Sequence, residues 1–451
     1  MKFTSFEELL QANAKSRATA SALTYDEGGE QKNMSFASLY EQILSRKVEL
    51  EEQTAHCVGI LQAPSKKWII DMFACVLAHK QTVLLDPMSE PSVLQAQVLA
   101  CDVECVLTDD LTRPYAQMLK TAPSGNVELA KGEGHILFFT SGTTHSSKAV
   151  VLTSKSLCAS AWNGQAKCPC TADDNLLCIL PLTHVFGFVC SMLWPMSQGA
   201  RISLTRGVRY IPQDCKYFKP TIISVVPSIL KFLIRFDALN DELRMILVGA
   251  GPASEQMLEA AKAKGIEVRF GYGLTETSSG VAISCGDNPF AMSVCPDDQI
   301  TLGEDGEVLV QGDECMMQGY YKNPEATKEV LIDGVLHTGD MGYFDEDGNL
   351  HITGRKKDVL VLENGNKIYL PEWEEKVAAA LGVEDVAIAL KDDAITLFIG
   401  NKDGYLNLSE LKDKLAAFNK ERPFNAQISR LEVLPHELAK TATGKVKRYV
   451  L

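Results

Sequence analysis

Hydrophobic and polar positions follow two recurring patterns along the first two thirds of the chain. Residues 35–53, SFASLYEQILSRKVELEEQ, place Phe36, Leu39, Ile43 and Val48 near one face of a helix. Short apolar runs rich in β-branched residues alternate with such helical stretches, which is typical of strands buried on both faces. The runs are WIIDMFACVLAH, TVLLD, VECVLTDD, HILFFTSG, NLLCILPL, TIISVVPSILKFLI and LRMILVGAG. The pattern predicts an α/β fold with largely parallel sheets.

The pattern changes at about residue 300, where shorter runs are broken by glycine and aspartate. The segments ITLGEDGEVLVQGDE and HTGDMGYFDEDGNLHITGRKKDVLV contain D-G turn signals between alternating positions, which predicts a small antiparallel β unit. After GRKKD the sequence predicts a helix at PEWEEKVAAAL, a strand at VAIAL and a basic tail, KTATGKVKR. We therefore expect a boundary at residues 354–358, between a domain of residues 1–354 and a domain of residues 355–451.

Composition and charge narrow the class of protein. The 451 residues suffice for more than one domain, and 46% hydrophobic content provides a large core. A net charge of -14 argues against a general binder of nucleic acid or anionic membranes, because both need basic patches. The N-terminus lacks the apolar core of a signal peptide, and no apolar run has spanning length. With thirteen scattered cysteines, these features predict a cytoplasmic protein with free thiols.

A loop rich in hydroxyl groups, TSGTTHSSK, follows the strand-like run HILFF. Its hydroxyls and backbone N–H groups, with Lys148, offer donors and a positive charge to a phosphate. It is not a Walker loop, since G-x-x-x-x-G-K-[ST] is absent. For this stretch taken alone, a solvated surface loop is the favoured interpretation. The candidate phosphate-binding residues are Thr140, Ser141, Gly142, Thr143, Thr144 and Lys148.

The stretch RFGYGLTETSSG offers a second set of candidates. Gly271 and Gly273 let the backbone approach a flat ligand, and Tyr272 provides a face for stacking. Thr275 and Glu276 could hold a phosphate oxygen and a hard divalent cation. A glycine turn followed by a helix cap explains the same residues.

Two further candidates lie in the last third. Asp340 stands between turn glycines, where a carboxylate commonly accepts two vicinal hydroxyls, and Arg355 could supply a complementary donor. Both could equally be surface turn residues. Lys445 belongs to the C-terminal basic run, which is usually a flexible tail. The pair Cys168 and Cys170 lacks a second cluster to complete a metal site, which favours chance spacing.

The order of these stretches resembles the acyl-adenylate-forming superfamily, which includes acyl-CoA synthetases, peptide-synthetase adenylation domains and luciferases. The matching motifs are TSGTT with Lys148, PLTHVFGF, VGAGP, GYGLTET, GYYKNPEAT, HTGD with GR, and KTATGK. The resemblance covers about residue 135 to the end. It implies a large N-terminal domain of α/β subdomains with parallel sheets plus a small β-barrel-like unit, and a small α+β C-terminal domain after a hinge.

The resemblance also implies roles for individual residues. The 140–148 loop would hold the β- and γ-phosphates, and the backbone near Gly251 with Tyr272 and its flanking glycines would hold adenine. Thr275 would contact the α-phosphate and Glu276 the Mg²⁺, and Asp340 and Arg355 would bind the ribose. Lys445 would act in adenylation, His184 would lie beside the acyl group, and Lys357 would occupy the hinge at 355–358.

Three residues of the phosphate loop depart from the family pattern. His145 replaces a usual glycine or serine, Ser147 stands where proline is frequent, and Ala149 replaces a common glycine. Because a β-carbon narrows the choice of backbone conformations, the loop either closes differently and still works or binds ATP poorly.

The resemblance implies ATP-dependent activation of a carboxylic acid to acyl-AMP, followed by transfer to a thiol. Phe186 and its apolar neighbours disfavour an amino acid, so a fatty or other apolar acid is expected, with coenzyme A as acceptor and ATP and Mg²⁺ as cofactors. A carrier-protein acceptor remains an alternative. A catalytically silent homologue acting as a binding subunit is another. No nucleic-acid partner and no transmembrane segment are expected.

Overall fold

The computed structural model describes residues 2–109, 134–140, 148–251, 255–286, 288–312, 314–361, 367–391, 394–402, 404–420, 422–423, 426–440, 446 and 448–451. The fold is mixed α/β, with a large N-terminal domain and a smaller α+β C-terminal domain, as the sequence predicts. The boundary at 354–358 stays a prediction.

A six-stranded sheet carries the base of the candidate phosphate loop. Its strand order is β17-β7-β6-β4-β3-β5. Strands β3 to β6 pair in parallel, whereas β7 pairs antiparallel with both β6 and β17. The strands are β3 (Cys57–Leu61), β4 (Gln81–Leu84), β5 (Cys105–Thr108), β6 (Ile136–Phe139), β7 (Ala149–Leu152) and β17 (Gly319–Tyr320).

A second, 14-stranded sheet joins a parallel half to an antiparallel half. The parallel strands run in the order β12-β11-β10-β8-β9-β1, and β2 closes this edge antiparallel to β1. The strands are β1 (Ser21–Glu27), β2 (Glu30–Ser35), β8 (Asn175–Cys178), β9 (Arg201–Leu204), β10 (Ile222–Val225), β11 (Met245–Gly249) and β12 (Glu267–Leu274).

The antiparallel half contains the β unit expected after residue 300. It continues from β12 through β13, β14, β20, β19 and β16 to β15, with β18 paired to β19. The strands are β13 (Ser279–Ser284), β14 (Met292–Val294), β15 (Asp298–Leu302), β16 (Glu307–Gly312), β18 (Leu331–Ile332), β19 (Val335–Phe344) and β20 (Leu350–Arg355).

The helices cover the sheets with their apolar faces. They are α1 (Phe6–Ser16), α2 (Phe36–Glu51), α3 (Lys66–Leu77), α4 (Pro91–Ala100), α5 (Ser154–Lys167), α6 (Val185–Phe188), α7 (Trp194–Ser197), α8 (Ile211–Phe218), α9 (Pro227–Arg235), α10 (Glu255–Lys262) and α11 (Pro324–Val330). In α2, Phe36, Leu39 and Ile43 are buried as predicted, but Val48 is 55% exposed and Leu50 completes the buried face instead.

One apolar run and the second half of another form helices although they resemble buried strands. In TIISVVPSILKFLI, β10 ends at Val225 and Pro227 begins α9. Residues 68–77 of WIIDMFACVLAH lie in α3, where every residue from Trp68 to Leu77 except Ile70 is buried. Ser65 begins this helix by accepting a hydrogen bond from the backbone N–H of Trp68. A helix buried on all sides loses its amphipathic period, so periodicity alone does not separate it from a strand.

The C-terminal part has a core of its own. A hairpin of β21 (Val359–Val361) and β22 (Lys367–Tyr369) precedes a sheet in the order β23-β24-β25. Two helices pack on this sheet around Val377, Leu397 and Leu415. The elements are α12 (Leu370–Leu381), β23 (Val386–Lys391), β24 (Ala394–Gly400), α13 (Leu408–Lys420) and β25 (Arg430–Leu434). In the ranges given above, no helix combines the length and the apolar character that crossing a bilayer requires.

Candidate active site

The two ends of the candidate phosphate loop are fixed on a β hairpin. Strands β6 and β7 pair from Ile136 opposite Leu152 to Phe139 opposite Ala149. Beyond them, the Thr140 N–H donates to the Lys148 carbonyl at 3.0 Å, and the Lys148 N–H donates to Thr140 Oγ1 at 3.2 Å. The predicted residues Ser141, Gly142, Thr143 and Thr144, together with His145, lie outside the described residues.

A tyrosine that the sequence analysis did not single out joins this hairpin to Glu276. Strand β17 pairs Tyr320 with Val150 of β7. The Tyr320 hydroxyl donates to Glu276 Oε1 at 2.7 Å, and Lys148 Nζ lies 4.6 Å from the centre of the Tyr320 ring. Burial first, and then the Glu276 carboxylate, raise the pKa of Tyr320 far above its ordinary value. Tyr320 is therefore a neutral donor at working pH.

The predicted glycine turn lies at the carboxyl ends of the parallel strands, where ligands bind in open α/β sheets. Gly271 on β12 is opposite Gly249 on β11, and Gly251 follows two residues later. A β-carbon at Gly273 would lie 1.8 Å from the Ser279 carbonyl oxygen, so only glycine fits there. Thr275 and Glu276 come next, in a 3₁₀ turn spanning Thr275–Thr277. The structure thus brings the candidates of the stretch RFGYGLTETSSG together at the carboxyl-terminal edge of the parallel strands.

Asp340 and Arg355 are paired partners on adjacent strands. They lie opposite each other on β19 and β20, and Arg355 Nε is 2.7 Å from Asp340 Oδ1. The Tyr272 hydroxyl donates to Asp340 Oδ2 at 2.9 Å. Burial of that hydroxyl and the Asp340 charge raise the pKa of Tyr272. Tyr272 from the glycine turn and Asp340 from the HTGD motif therefore form one cluster with Arg355.

His184 begins α6 and faces a carboxylate from the other sheet. Its Nε2 lies 3.7 Å from Asp86 Oδ2, and in the described chain this buried nitrogen has no hydrogen-bond partner. Burial lowers the pKa of His184, and Asp86 opposes that shift. Asp86 follows β4 and is held by the Met88 N–H at 2.9 Å. No motif pointed to Asp86, although a carboxylate just after a buried parallel strand was a usable signal.

A π-turn, Val189–Leu193, continues α6 into α7 and shapes a small cavity. The Trp194 N–H donates to the Val189 carbonyl, five residues back, and the Ser224 hydroxyl donates to the Cys190 carbonyl at 3.1 Å. This wider winding turns Val189, Cys190 and Trp194 towards one side. We call the space of about 20 Å³ beside them the Trp194 cavity. It is lined by Ser160, Ala161, Gly164, Cys168, Val189, Cys190, Trp194, Leu247, Ser279, Gly280 and Ile283.

The Trp194 cavity is almost entirely apolar and lies on β11 and β13, the strands on either side of β12, which carries the glycine turn. Leu247 belongs to β11, and Ser279 and Ile283 belong to β13. The hydroxyl of Ser160 is buried and has no partner within the described ranges. Phe186 lies near the same strand ends, because a β-carbon on Gly249 would lie 3.0 Å from its ring. Phe186 and the lining of the Trp194 cavity therefore place apolar and aromatic groups beside β11 and β13.

Besides the loop residues 141–144, the side chains of two predicted residues lie outside the described part of the chain. Lys357 lies in a 3₁₀ turn spanning Lys356–Asp358, and only its backbone is described. Lys445 lies outside the described residues.

All thirteen cysteines, including Cys168 and Cys170, are free thiols. Burial raises the pKa of both thiols.

Comparison with known proteins gives one family. The family model described as "AMP-binding enzyme" matches residues 10–321. The chain is 27% identical over 457 residues to a 2-succinylbenzoate–CoA ligase of Bacillus cytotoxicus, covering 93% of each chain. It is 32% identical over 333 residues to the ligase of the same name from Listeria innocua, covering 69% of this chain and 68% of that one.

A solved structure shares the fold across nearly the whole length. It is the O-succinylbenzoate coenzyme A synthetase of Bacillus subtilis in complex with ATP and magnesium ion, with a TM-score of 0.81 and 23% identity. The match covers 98% of each chain.

Proposed function

Because this chain belongs to the AMP-binding enzyme family and is an acyl-adenylate-forming acid–thiol ligase, we propose that its acid is 2-succinylbenzoate or a close aromatic dicarboxylate. The observation that carries this proposal is the shared name of the two relatives, which align over 93% and 69% of the chain. The expectation of a fatty acid finds no support among these relatives. Coenzyme A is the proposed acceptor, and no relative named above supports a carrier protein.

The surroundings of His184 support an aromatic acid with a second charge. Phe186, two residues from His184, offers aromatic surface to a ring. A second carboxylate needs a donor when it leaves water. His184 Nε2 is a buried nitrogen without a hydrogen-bond partner in the described chain, and a nearby carboxylate would favour its protonated form. An acid that carries a negative charge beside His184 therefore suits this site better than a plain alkyl chain does.

The nucleotide would lie across the clusters described above. We propose that Asp340 and Arg355 bind the ribose, and that Gly251, Gly271, Tyr272 and Gly273 enclose the adenine. Lys148 and the 140–144 hydroxyls would hold the outer phosphates, and Thr275 the α-phosphate. Mg²⁺ takes one or two carboxylates together with phosphate oxygens and waters, which the single carboxylate of Glu276 fits.

In the proposed adenylation, the substrate carboxylate and the triphosphate of ATP, both negatively charged, must approach each other. When a carboxylate attacks the α-phosphate, negative charge spreads over the phosphoryl oxygens, so fixed positive groups lower the barrier. Mg²⁺ would neutralise part of the triphosphate charge when bound. The chain would supply Lys148 and Lys445 as cations, and Thr275 as a donor. After adenylation, rotation about Lys357 would withdraw Lys445 and admit the thiol.

A panel of matched acids tests the proposal. The purified protein is incubated with Mg-ATP, coenzyme A and one acid at a time, and thioesters are identified by mass spectrometry. The acids are 2-succinylbenzoate, 3-benzoylpropionate without the ring carboxylate, 2-butyrylbenzoate without the chain carboxylate, and octanoate. We expect thioester from 2-succinylbenzoate and at least ~10-fold less from the monocarboxylate that keeps the reacting carboxylate, because one charged hydrogen bond is lost. We expect none from the other monocarboxylate, which lacks the reacting group, and none from octanoate.

The other outcomes are equally informative. Preferential use of octanoate would overturn the aromatic acid and restore the fatty-acid prediction. Acyl-AMP without thioester would indicate a carrier-protein acceptor. If no acid supports exchange of pyrophosphate into ATP, the chain is a silent homologue.

A further inference from the structure

Tyr320 contacts a positive and a negative group of the candidate nucleotide site at once. Its ring lies 4.6 Å from Lys148 Nζ, and its hydroxyl donates to Glu276 Oε1 at 2.7 Å. Despite their opposite charges, Lys148 and Glu276 do not form an ion pair with each other in the described part of the chain. One aromatic side chain therefore separates the two groups and contacts both.

The backbone fixes Tyr320 in this position. Strand β17 is only two residues long, yet it pairs with β7, whose Val150 lies opposite Tyr320. Side chains two residues apart on a strand share a face, so Lys148 is a diagonal neighbour of Tyr320. The Tyr320 N–H donates to Thr327 Oγ1 at 2.9 Å. The tyrosine is 7% exposed, so its ring has little freedom to leave.

Glu276 is tied to the same segment at its backbone. The Met317 N–H donates to the Glu276 carbonyl at 2.8 Å. With Oε1 bound to the Tyr320 hydroxyl, the carboxylate is held in one orientation, and Oε2 remains for a cation. The ring face meanwhile attracts the Lys148 ammonium, because the face of an aromatic ring carries partial negative charge.

We propose that Tyr320 is a positioning residue that aims Glu276 at Mg²⁺ and Lys148 at the triphosphate, and prevents the two from pairing with each other. This inference rests on the proposed nucleotide site. Without the tyrosine, the ammonium and the carboxylate would neutralise each other, and both the metal and the phosphates would lose their partner.

Two substitutions distinguish the contribution of the Tyr320 hydroxyl from that of its ring. Tyr320→Phe removes only the hydroxyl, and Tyr320→Leu removes the hydroxyl and the aromatic face. The matched control is Tyr321→Phe, because the Tyr321 hydroxyl also donates to a carboxylate, Asp102 Oδ2, at 3.0 Å. All three variants lose one hydrogen bond to a carboxylate.

Binding of ATP without acid is measured by calorimetry, once with Mg²⁺ and once with EDTA. In Tyr320→Phe we expect affinity for Mg-ATP to fall ~10-fold while affinity for ATP in EDTA changes less than ~2-fold. In Tyr320→Leu we expect a further loss of ~2- to 5-fold under both conditions, because Lys148 is released. Tyr321→Phe should match the wild type in both.

The outcomes distinguish this inference from the function on which it rests. If the wild type binds no ATP under either condition, the nucleotide site itself is wrong. If the wild type binds Mg-ATP but Tyr320→Phe behaves like Tyr321→Phe, only the positioning role fails. An equal loss with Mg²⁺ and with EDTA in Tyr320→Phe would also refute it, since that pattern indicates a general structural defect.

Discussion

Asp298 is a buried carboxyl group that connects helix α5 to the β unit, and its replacement by asparagine tests the electrostatics of that connection. Its Oδ2 accepts from Asn163 Nδ2 at 3.0 Å, and its Oδ1 is buried without a hydrogen-bond partner in the described ranges. The same Asn163 amide contacts Cys315 Sγ at 3.3 Å. Burial first, and then the nearby Asp297 charge, raise the pKa of Asp298 to about 7.

The sign of the effect follows from proton binding. Between its ordinary pKa of 3.8 and about 7, the folded protein keeps the proton that the unfolded chain has lost. Folding is then weakened by about 1.4 kcal/mol for each pH unit, so the carboxyl group reduces stability at neutral pH by up to ~4 kcal/mol. Asparagine does not titrate. The variant Asp298→Asn should gain stability relative to the wild type as the pH rises.

The assay is thermal unfolding of both proteins from pH 5 to pH 8. Over this range the free energy of unfolding of Asp298→Asn should rise by ~3 kcal/mol relative to that of the wild type, and most of this rise occurs between pH 5 and pH 7. An unfolding entropy of ~2.1 cal/mol/K per residue gives ~0.9 kcal/mol/K for 451 residues. The difference in Tm between variant and wild type should therefore increase by ~3 °C.

Asp174→Asn provides the matched control. Burial acts to raise the pKa of Asp174, but hydrogen bonds from Arg244, Thr171 and Thr221 lower it to about 2. Both of its pKa values, folded and unfolded, lie below pH 5, so the Tm deficit of this variant should stay constant. A Tm difference for Asp298→Asn that is equally constant would refute the raised pKa.

Three further predictions concern the candidate site. Asp340→Asn should raise KM for ATP ~10-fold in pyrophosphate exchange, because the charge that holds Arg355 is lost; an unchanged KM would contradict the ribose role. Lys445→Ala should slow acyl-AMP formation by ~10²-fold or more and leave thioester formation from supplied acyl-AMP largely intact, and equal loss of both would contradict its role. Asp86→Asn should lower the pKa of His184 further, as read by an NMR titration of the histidine ring; no change would show that Asp86 does not act on it.

The sequence predicted the architecture because the strands and helices carry strong local signals. The runs at β6, β8, β10 and β11 are short and apolar, and D-G turns marked the β unit that includes β16 and β19. The family followed from the order of the motifs. Helix α3 was not predicted, because the burial of nearly every residue from Trp68 to Leu77 removes the helical period.

The contacts that complete the candidate site were not predictable from spacing. Tyr320 meets Glu276 across 44 residues, and Asp86 meets His184 across two different sheets. Strand β17 has two residues, too few to show any period. Such contacts depend on how two sheets pack together, and the pattern of hydrophobic residues along the chain does not predict that packing. The expectation of a fatty acid, which the relatives do not support, rested on apolar segments, and such segments are expected in any core and say little about an acid.

The π-turn makes chain length a determinant of pocket shape. Because each residue of an α-helix advances the direction of its side chain by about 100°, deleting one residue from Val189–Leu193 would restore ordinary winding and swing Trp194 away from Leu247. An insertion or deletion of a single codon here would thus remodel the Trp194 cavity without altering any strand. The shape of this part of the fold therefore depends on chain length as well as on the identity of the side chains.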